Sequence, residues 1–457
     1  MRLRMGTFAA AIALSLAVGA VPAVAGSGAH AKRQKVFVVC KHGCPYRSIH
    51  AALDAVKKGS NSVIKIRPGT YKEGVAFSGH RYDGISFVGA SRNARKTVLD
   101  GTHAKLNGTN QQAQNGIDAT NVNSVKIKNL WARDFQTNGF FVHSDNGTTN
   151  CKGFLMKNDL ASFNRSYGLF AKRCIGGRIT QSTGWGHGDS AIYIGETPPQ
   201  TNPKWTEIDH DVAYENVLGY SGTNSKYVDI HDSQFFHNGA GVAPNNLPSE
   251  RFQPAANGRI RDNLIFWNNF NYFLPNSPVK TVSGGLGEFN GHPINYPTGV
   301  GVILFGTDGW VVRDNRIFGN FFWGAASFSN GLDNTGKQLS QKNRFIDNKM
   351  GRNGTDTNRF DFFSDGSGKG TCFEGNSSST FDNRPMGAST AALYPGCPAP
   401  NSSGTGVVLG DGPQFGELAG YVTSDPACKQ EDSWAEHSHP AFRGITPIDT
   451  KNFGNCS

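Results

Sequence analysis

Little in this chain is charged. Asp, Glu, Lys and Arg make up only 18% of its 457 residues. No Lys/Arg-rich run or nucleic-acid motif stands out, which makes DNA or RNA the least favoured partner. No paired Cys-x-x-Cys occurs, so the eight cysteines do not read as a zinc site. After the first 25 residues no apolar run is long enough to span a bilayer. Hydrophobic residues at 37% and aromatics at 11% nevertheless exclude a disordered chain. There are 57 Gly and 31 Phe, with β-branched and aromatic residues between the glycines, and that pattern predicts many short strands.

The strands recur. Asn263 is followed five positions later by Asn268, Asn315 by Asn320 and Asn343 by Asn348. Ser233 precedes Asn238 and Asn129 precedes Asp134 at the same offset, and Asn158 precedes Asn164 one residue wider. Alternating apolar residues such as Val125, Ile260 and Val311 stand before the first polar residue. Gly and an apolar pair follow the second, as in Gly139-Phe140-Phe141, Gly168-Leu169-Phe170 and Gly241-Val242. Strand, polar turn and strand, repeated without helices, predict a solenoid. Phe154, Phe235, Phe266, Phe318 and Phe345 are expected as stacks in its core.

Residues 1–25 read as a secretory signal. Arg2 and Arg4 supply the positive start, Phe8 to Val18 the apolar middle, and Ala23-Val24-Ala25 the cleavage site. A retained membrane anchor is the alternative; with cleavage, a secreted protein free of the membrane is expected. Export makes the cysteines readable as disulfides. Chain order suggests Cys40 with Cys44, Cys151 with Cys174, Cys372 with Cys397 and Cys428 with Cys456. The formal charge of +10 falls to +8 once Arg2 and Arg4 leave with the signal. A basic exported protein suits anionic partners, with acidic (uronic-acid) polysaccharide or teichoic acid ahead of nucleic acid, although the charge also serves solubility alone.

Residues 26–114 open with Val36-Phe37-Val38-Val39. A helix capped by Ser48 follows, with Ile49, Ala52, Leu53 and Val56 on one face and a stop at Gly59. Strand signals resume at Val63-Ile64-Lys65-Ile66 and Pro68-Gly69-Thr70-Tyr71. Here the chain resembles the right-handed parallel β-helices of the pectate-lyase superfamily, in which a helix plugs the open end of the coil. The resemblance spans about residues 36–380. It implies an all-β, single-stranded right-handed parallel β-helix with an N-terminal α-helical cap, repeats over 115–384, and an irregular disulfide-held tail over 385–457. That fold hosts lyases, hydrolases, epimerases and adhesive proteins, so activity must be argued from a site.

Three insertions swell the repeat, read as 195–207, 243–258 and 274–299, each just after the second strand. Equal phase predicts one shared flank, where clustered loops form a binding surface. Candidate chemistry lies nearby. His187 breaks the Asn pattern within Gly184-Trp185-Gly186-His187-Gly188-Asp189. It reads either as a turn residue mimicking Asn or as a general base oriented by Asp189. Gly-His-Gly is similar to the tripeptide of polygalacturonases, without the Asn-Thr-Asp and paired-Asp motifs that precede it there. Asp209-His210-Asp211 loosely resembles the Asp-Pro-His-Asp of alginate C5-epimerases, and an alternating solvent-facing strand explains it equally. Its two carboxylates make Ca²⁺ a candidate cofactor. In the insertions, Tyr193, Trp205 and Tyr296 are candidates to stack on sugar rings, and Lys204, Arg251 and Lys280 to pair with carboxylates. Glu196, Glu250 and Glu288 are candidate acids.

These residues predict action on an acidic polysaccharide by removal of a C5 proton, as lyase or epimerase, with a cation stabilising the enolate. The rival is a non-catalytic surface or matrix protein binding glycans or a protein. Catalysis requires His187 or His210 to face the loop-lined groove beside a carboxylate; binding alone leaves the groove without convergent acid–base groups.

Overall fold

The computed structural model describes residues 34–399, apart from 61, 146–150, 271, 273–276, 278, 280–286, 290–291, 295, 321, 331–338, 352–355, 359, 367 and 378–393. The expected signal, most of the tail, and Cys428 and Cys456 lie outside the described residues.

Each winding repeats three strands. The chain runs through Ile175–Thr180, Thr183–Trp185 and Ser190–Gly195 before the next winding begins at Thr206–Asp209. Equivalent strands pair in parallel, with Ile179 opposite Ile208, Gly184 opposite Ala213 and Ile192 opposite Tyr220. Among the described residues this builds three long sheets of 12, 10 and 11 strands, called first, second and third below. The fold is a right-handed parallel β-helix, the hand that parallel crossovers take.

Alternation decides what lies inside. Ile127, Met156, Ile179, Ile208, Ile230 and Ile260 occupy equivalent first-sheet positions and form one fully buried column. Burying each such side chain is worth roughly 1.5–3 kcal/mol. Phe154, Phe235 and Phe345 join this core as expected. Phe266 and Phe318 do not. Most second-sheet strands are three residues long, so the middle residue points inward and the third outward. Phe266 and Phe318 therefore extend an outer stack with Trp185, Tyr214 and Phe236, whose neighbouring rings lie 5.0–5.8 Å apart.

The helix Ile49–Asp54 packs against the strands Lys35–Val39, Ser62–Ile66 and Glu73–Ser78. Ile49, Ala52 and Leu53 face the core. Its first amides are satisfied by Ser48 and by Glu73, which accepts from the Ile49 and His50 N–H at 2.9 and 3.2 Å. Cys40–Cys44, Cys151–Cys174 and Cys372–Cys397 form disulfides.

The corners carry two side-chain ladders. Between the first and second sheets, each ladder residue accepts the backbone N–H of its counterpart one winding earlier. The series runs Asp159, Ser182, Asp211, Ser233, Asn263, Asn315, Asn348 and Asn376, and its contacts span 2.6–3.2 Å. Between the second and third sheets a parallel series contains Asn164, His187, Asn216, Asn238, Asn268, Asn320 and Asn358. The five-residue offset is thus the length of a second-sheet crossing. Asn129, Asp134 and Asn158 sit one step off, in the left-handed backbone position just before a ladder residue.

Asp211 is the ladder's weak rung. Asn263 and Asn315 each donate from Nδ2 to a carbonyl of the preceding winding, whereas Asp211 Oδ2 is buried without a partner. Burial pushes its proton affinity well above 3.8. Because the affinity is raised on folding, Asp211 costs least below its unfolded value, and stability is lost as pH rises toward the folded value. Asp211→Asn should stabilise the protein by about 1 kcal/mol at neutral pH, with the gain growing as pH rises, measured as Tm against pH. Equal Tm values throughout would show that Asp211 is already satisfied.

Candidate functional site

The insertions do not share one corner. Residues 196–205 and 246–258 leave after third-sheet strands, Ser190–Gly195 and Ala240–Asn245. The third insertion falls earlier in its winding, between the second-sheet strand Leu264–Phe266 and the third-sheet strand Val300–Phe305. It was expected after Asn271-Tyr272-Phe273, but the third-sheet strand of that winding begins only at Val300. The loops therefore flank the third sheet from both of its edges.

The outer face of that sheet closes in along the coil. Asp118, Thr120, Phe141 and His143 are partly exposed. One winding on, Phe170 is buried. From Tyr193 onward the equivalent residues Ser221, Ala243, Ile303 and Ala326 are all at most 3% exposed. A second apolar cluster, including Phe270, Tyr272, Val279, Tyr296, Ile303 and Trp323, fills the space between sheet and insertions. The result is a groove floored by the early windings and blocked where the loops begin.

Acid–base groups converge at the blocked end. Phe141, Phe170, Tyr167 and Tyr193 form a continuous aromatic floor, with neighbouring ring centroids 4.3–4.7 Å apart. Asp189, in the turn before Ser190–Gly195, hydrogen-bonds the Tyr167 hydroxyl, and its Oδ1 has no partner. Burial pushes the Asp189 carboxyl up to about 7; hydrogen bonds from Tyr167 and Ser190 oppose this and the Glu250 charge adds to it. Glu250, from the second insertion, accepts from the Tyr193 hydroxyl at 3.1 Å and from Lys172 Nζ at 3.0 Å. Burial raises its affinity as well. Lys172 also reaches Glu196 at 3.1 Å, and Arg173 binds Glu196 at 2.6 Å. For Glu196 burial works against ionisation, but Arg173 and Lys172 prevail and its affinity is lowered. Burial keeps Tyr167, Tyr193 and Tyr296 as neutral phenols.

At the open end, His143 Nε2 lies 3.0 Å from Asp118 Oδ1 and 2.9 Å from Thr120 Oγ1. Its ring stacks on Phe141 at 4.0 Å, and Asn115 donates to the other Asp118 oxygen at 2.8 Å.

Of the sequence candidates, Asp189, Tyr193, Glu196, Glu250 and Tyr296 meet here. His187 does not. Its ring is fully buried in the ladder, with Nδ1 3.3 Å from both the N and O of Asn164. Burial pushes it down to about 4, so it stands as neutral imidazole in place of an asparagine. Asp209, His210 and Asp211 lie at the opposite edge of the second sheet. Burial disfavours the Asp209 charge, but Arg178, His210 and Thr180 outweigh it and hold the carboxyl at about 2. His210 is 60% exposed on a left-handed turn residue. Asp211 belongs to the ladder, accepting from the Ser182 N–H at 2.6 Å. Among the described residues no group of three or more His, Cys, Asp or Glu is placed to hold a metal ion. Trp205 turns away from the groove, against Arg259 (4.1 Å) and Tyr227. Lys204 and Arg251 are exposed, and neither joins the cluster. Lys280 and the Glu288 side chain lie outside the described residues.

No family model matches the chain, and no curated protein sequence matches it. Solved structures with a similar fold include the A-module of the mannuronan C-5 epimerase AlgE4 of Azotobacter vinelandii. It is 15% identical over 73% of this chain and 91% of that one, with a TM-score of 0.45. The AlgE6 A-module of the same organism is 13% identical over 72% and 90%, with a TM-score of 0.43. The catalytic domain of a GH87 α-1,3-glucanase in complex with nigerose is 10% identical over 78% and 67%, with a TM-score of 0.46. No residue role passes to this chain at such identities.

The electrostatics of the cluster can be tested without a substrate. Glu250→Gln removes the charge beside Asp189 and should lower the Asp189 carboxyl from about 7, while burial keeps it above 3.8. Carboxyl ¹³C titration by NMR reads the shift directly. An unmoved value would place Glu250 outside the field of Asp189.

Proposed function

We propose that the chain is an exported carbohydrate-active enzyme in which Asp189 is the general acid and Glu250 the partner carboxylate. The observation that carries this reading is Asp189 itself, a carboxyl raised to about 7 beside Tyr167 and Glu250, where the aromatic row ends. A proton affinity near the working pH is what general acid catalysis needs. Aromatic faces such as Phe141 and Tyr193 suit sugar rings. Paired carboxyls suit glycosidic bond cleavage. The Asp189 proton goes to the glycosidic oxygen as its bond to the sugar breaks. Glu250 stabilises the cationic sugar and takes a proton from the incoming water. The disulfides support an oxidising compartment.

Elimination or epimerisation at a uronate, expected from the sequence, fits the groove less well. It needs a cation for the substrate carboxylate, and Lys172 and Arg173 are both already engaged by Glu196 and Glu250. Hydrolysis of a neutral glycan needs none. Blockage from Tyr193 onward also favours a substrate that enters over Asp118 and Phe141 with its end at Asp189, releasing short products.

A panel of xylan, α-glucans, galactan, alginate and polygalacturonate tests this. New reducing ends from a neutral glycan, without unsaturated product, are expected. Asp189→Asn should lower kcat by about 10²- to 10⁴-fold with unchanged Tm, and wild-type kcat/KM should fall as pH rises through about 7. An unsaturated uronate product, or an Asp189→Asn protein as active as wild type, defeats the assignment.

A further inference from the structure

The first sheet carries a second feature, on a face that the groove does not use. Its outer side presents Lys65, Lys126, Lys128 and Lys157 on the strands Ser62–Ile66, Lys126–Lys128 and Lys152–Lys157. Lys128 lies directly opposite Lys157, one strand spacing of about 4.8 Å away. Lys126 stands two residues along the strand from Lys128. Lys65 aligns with the same row through Val88. Lys65, Lys126 and Lys157 are exposed and Lys128 is half-buried. Among the described residues, none of the four forms an ion pair.

Several cations of the same face are paired in later windings. Arg178 is held by Asp209 and Glu207, Arg261 by Asp229 and Asp262, and Arg313 by Asp314. Like charges directly opposite on neighbouring strands cost stability. Among the described residues Asp159 lends its charge to Lys128, but no carboxylate pairs with Lys65, Lys126 or Lys157, which leaves those three to meet negative charge on a partner. The chemistry of the patch narrows what that partner is. Lysine offers a compact point charge, and a row of them suits a polymer that carries one carboxylate on each successive sugar. The intervening outward residues are Ser86, Val88 and Leu155, with no aromatic ring on which a nucleobase could stack.

We propose that this face of the first sheet is a docking surface for a carboxylate-bearing polysaccharide, separate from the groove on the third sheet. It anchors the protein to an acidic matrix while leaving the groove open. The net charge of +8 that remains after signal removal draws such a polymer in, and the lysine row holds it.

Binding to polygalacturonate, followed by calorimetry in 50 and 200 mM salt, tests the proposal. Wild type should bind and weaken at least tenfold between the two salts. The variant carrying Lys65→Gln, Lys126→Gln, Lys128→Gln and Lys157→Gln should bind at least tenfold more weakly at low salt, with a flatter salt dependence. Removing four cations elsewhere, through Lys57→Gln, Arg316→Gln, Lys349→Gln and Lys369→Gln, should cost far less. An equal loss in both variants would reduce the effect to net charge and overturn the site. Tighter binding to double-stranded DNA than to polygalacturonate would overturn the polysaccharide assignment. Asp189→Asn should leave polygalacturonate affinity unchanged; a loss there would move the binding to the groove.

Discussion

Everything in this molecule hangs on one requirement: each turn of the coil must satisfy the backbone N–H that it buries at its corners. A buried amide without an acceptor costs about as much as a lost hydrogen bond. Each winding meets the demand with a side chain from the next, at both ends of the second sheet. Any short side chain with an acceptor at the right distance serves. Asn, Ser, Asp and His all appear in the two series. The same requirement explains why long insertions are tolerated. The third insertion opens after Asn268, whose Oδ1 belongs to the ladder, and closes at Gly299, whose N–H bonds the carbonyls of Asn268 and Gly239. The coil re-enters register as though the intervening segment were absent.

The ladder also sets the limit of what could be read from the chain. An offset of five residues is local, so Asn263 with Asn268 and Asn315 with Asn320 are visible in the sequence, and with them the solenoid. The neighbour pairing of Cys151 with Cys174 follows from the same winding length. Which corner releases an insertion is not local. Asn271-Tyr272-Phe273 has the apolar look of a third-sheet strand, but Val300–Phe305 fills that place, because Val300 and Val302 align with Ala240 and Val242. The alternation Gly299-Val300-Gly301-Val302 is the signal that distinguishes them. His187 illustrates a different limit. Its residue type suggests proton transfer, whereas its position in the five-residue count marks it as a rung. Position decides, since a ring enclosed by the windings meets no substrate.

Phe141, Phe170 and Tyr193 were also within reach of the sequence. Each lies at the same outward position of its third-sheet strand, so an aromatic row on one face is implied by the register alone. Tyr167, Lys172 and Asp118 carry no comparable local mark. They acquire meaning only when strands from several windings stand side by side and a loop from a fourth delivers Glu250. Asp189 was noticed as a partner for His187, two residues away. In the fold the two diverge, His187 into the ladder and Asp189 toward the aromatic floor.

The contrast between Asp189 and Asp209 shows how position in the coil sets charge. Both carboxyls lie near a corner, and burial disfavours ionisation of each. Asp209 lies in a row of first-sheet side chains, where Arg178, Thr180 and His210 all donate to it, and it stays ionised. Asp189 faces the apolar layer beneath the insertions, with a phenol as its neighbour and Glu250 nearby. Among the described residues no cation pairs with it, and Lys172 and Arg173 are drawn to Glu196 and Glu250. The loops that seal the third sheet thus do two things at once. They end the groove, and they remove the water and counter-charge that would otherwise hold Asp189 at an ordinary carboxylate value. Among the described residues Lys65, Lys126 and Lys157 of the first sheet's early windings are exposed, and charge there faces outward. A rod with three faces can keep a dry acid on one and a wet cationic row on another, because successive windings fix which side chains share each face.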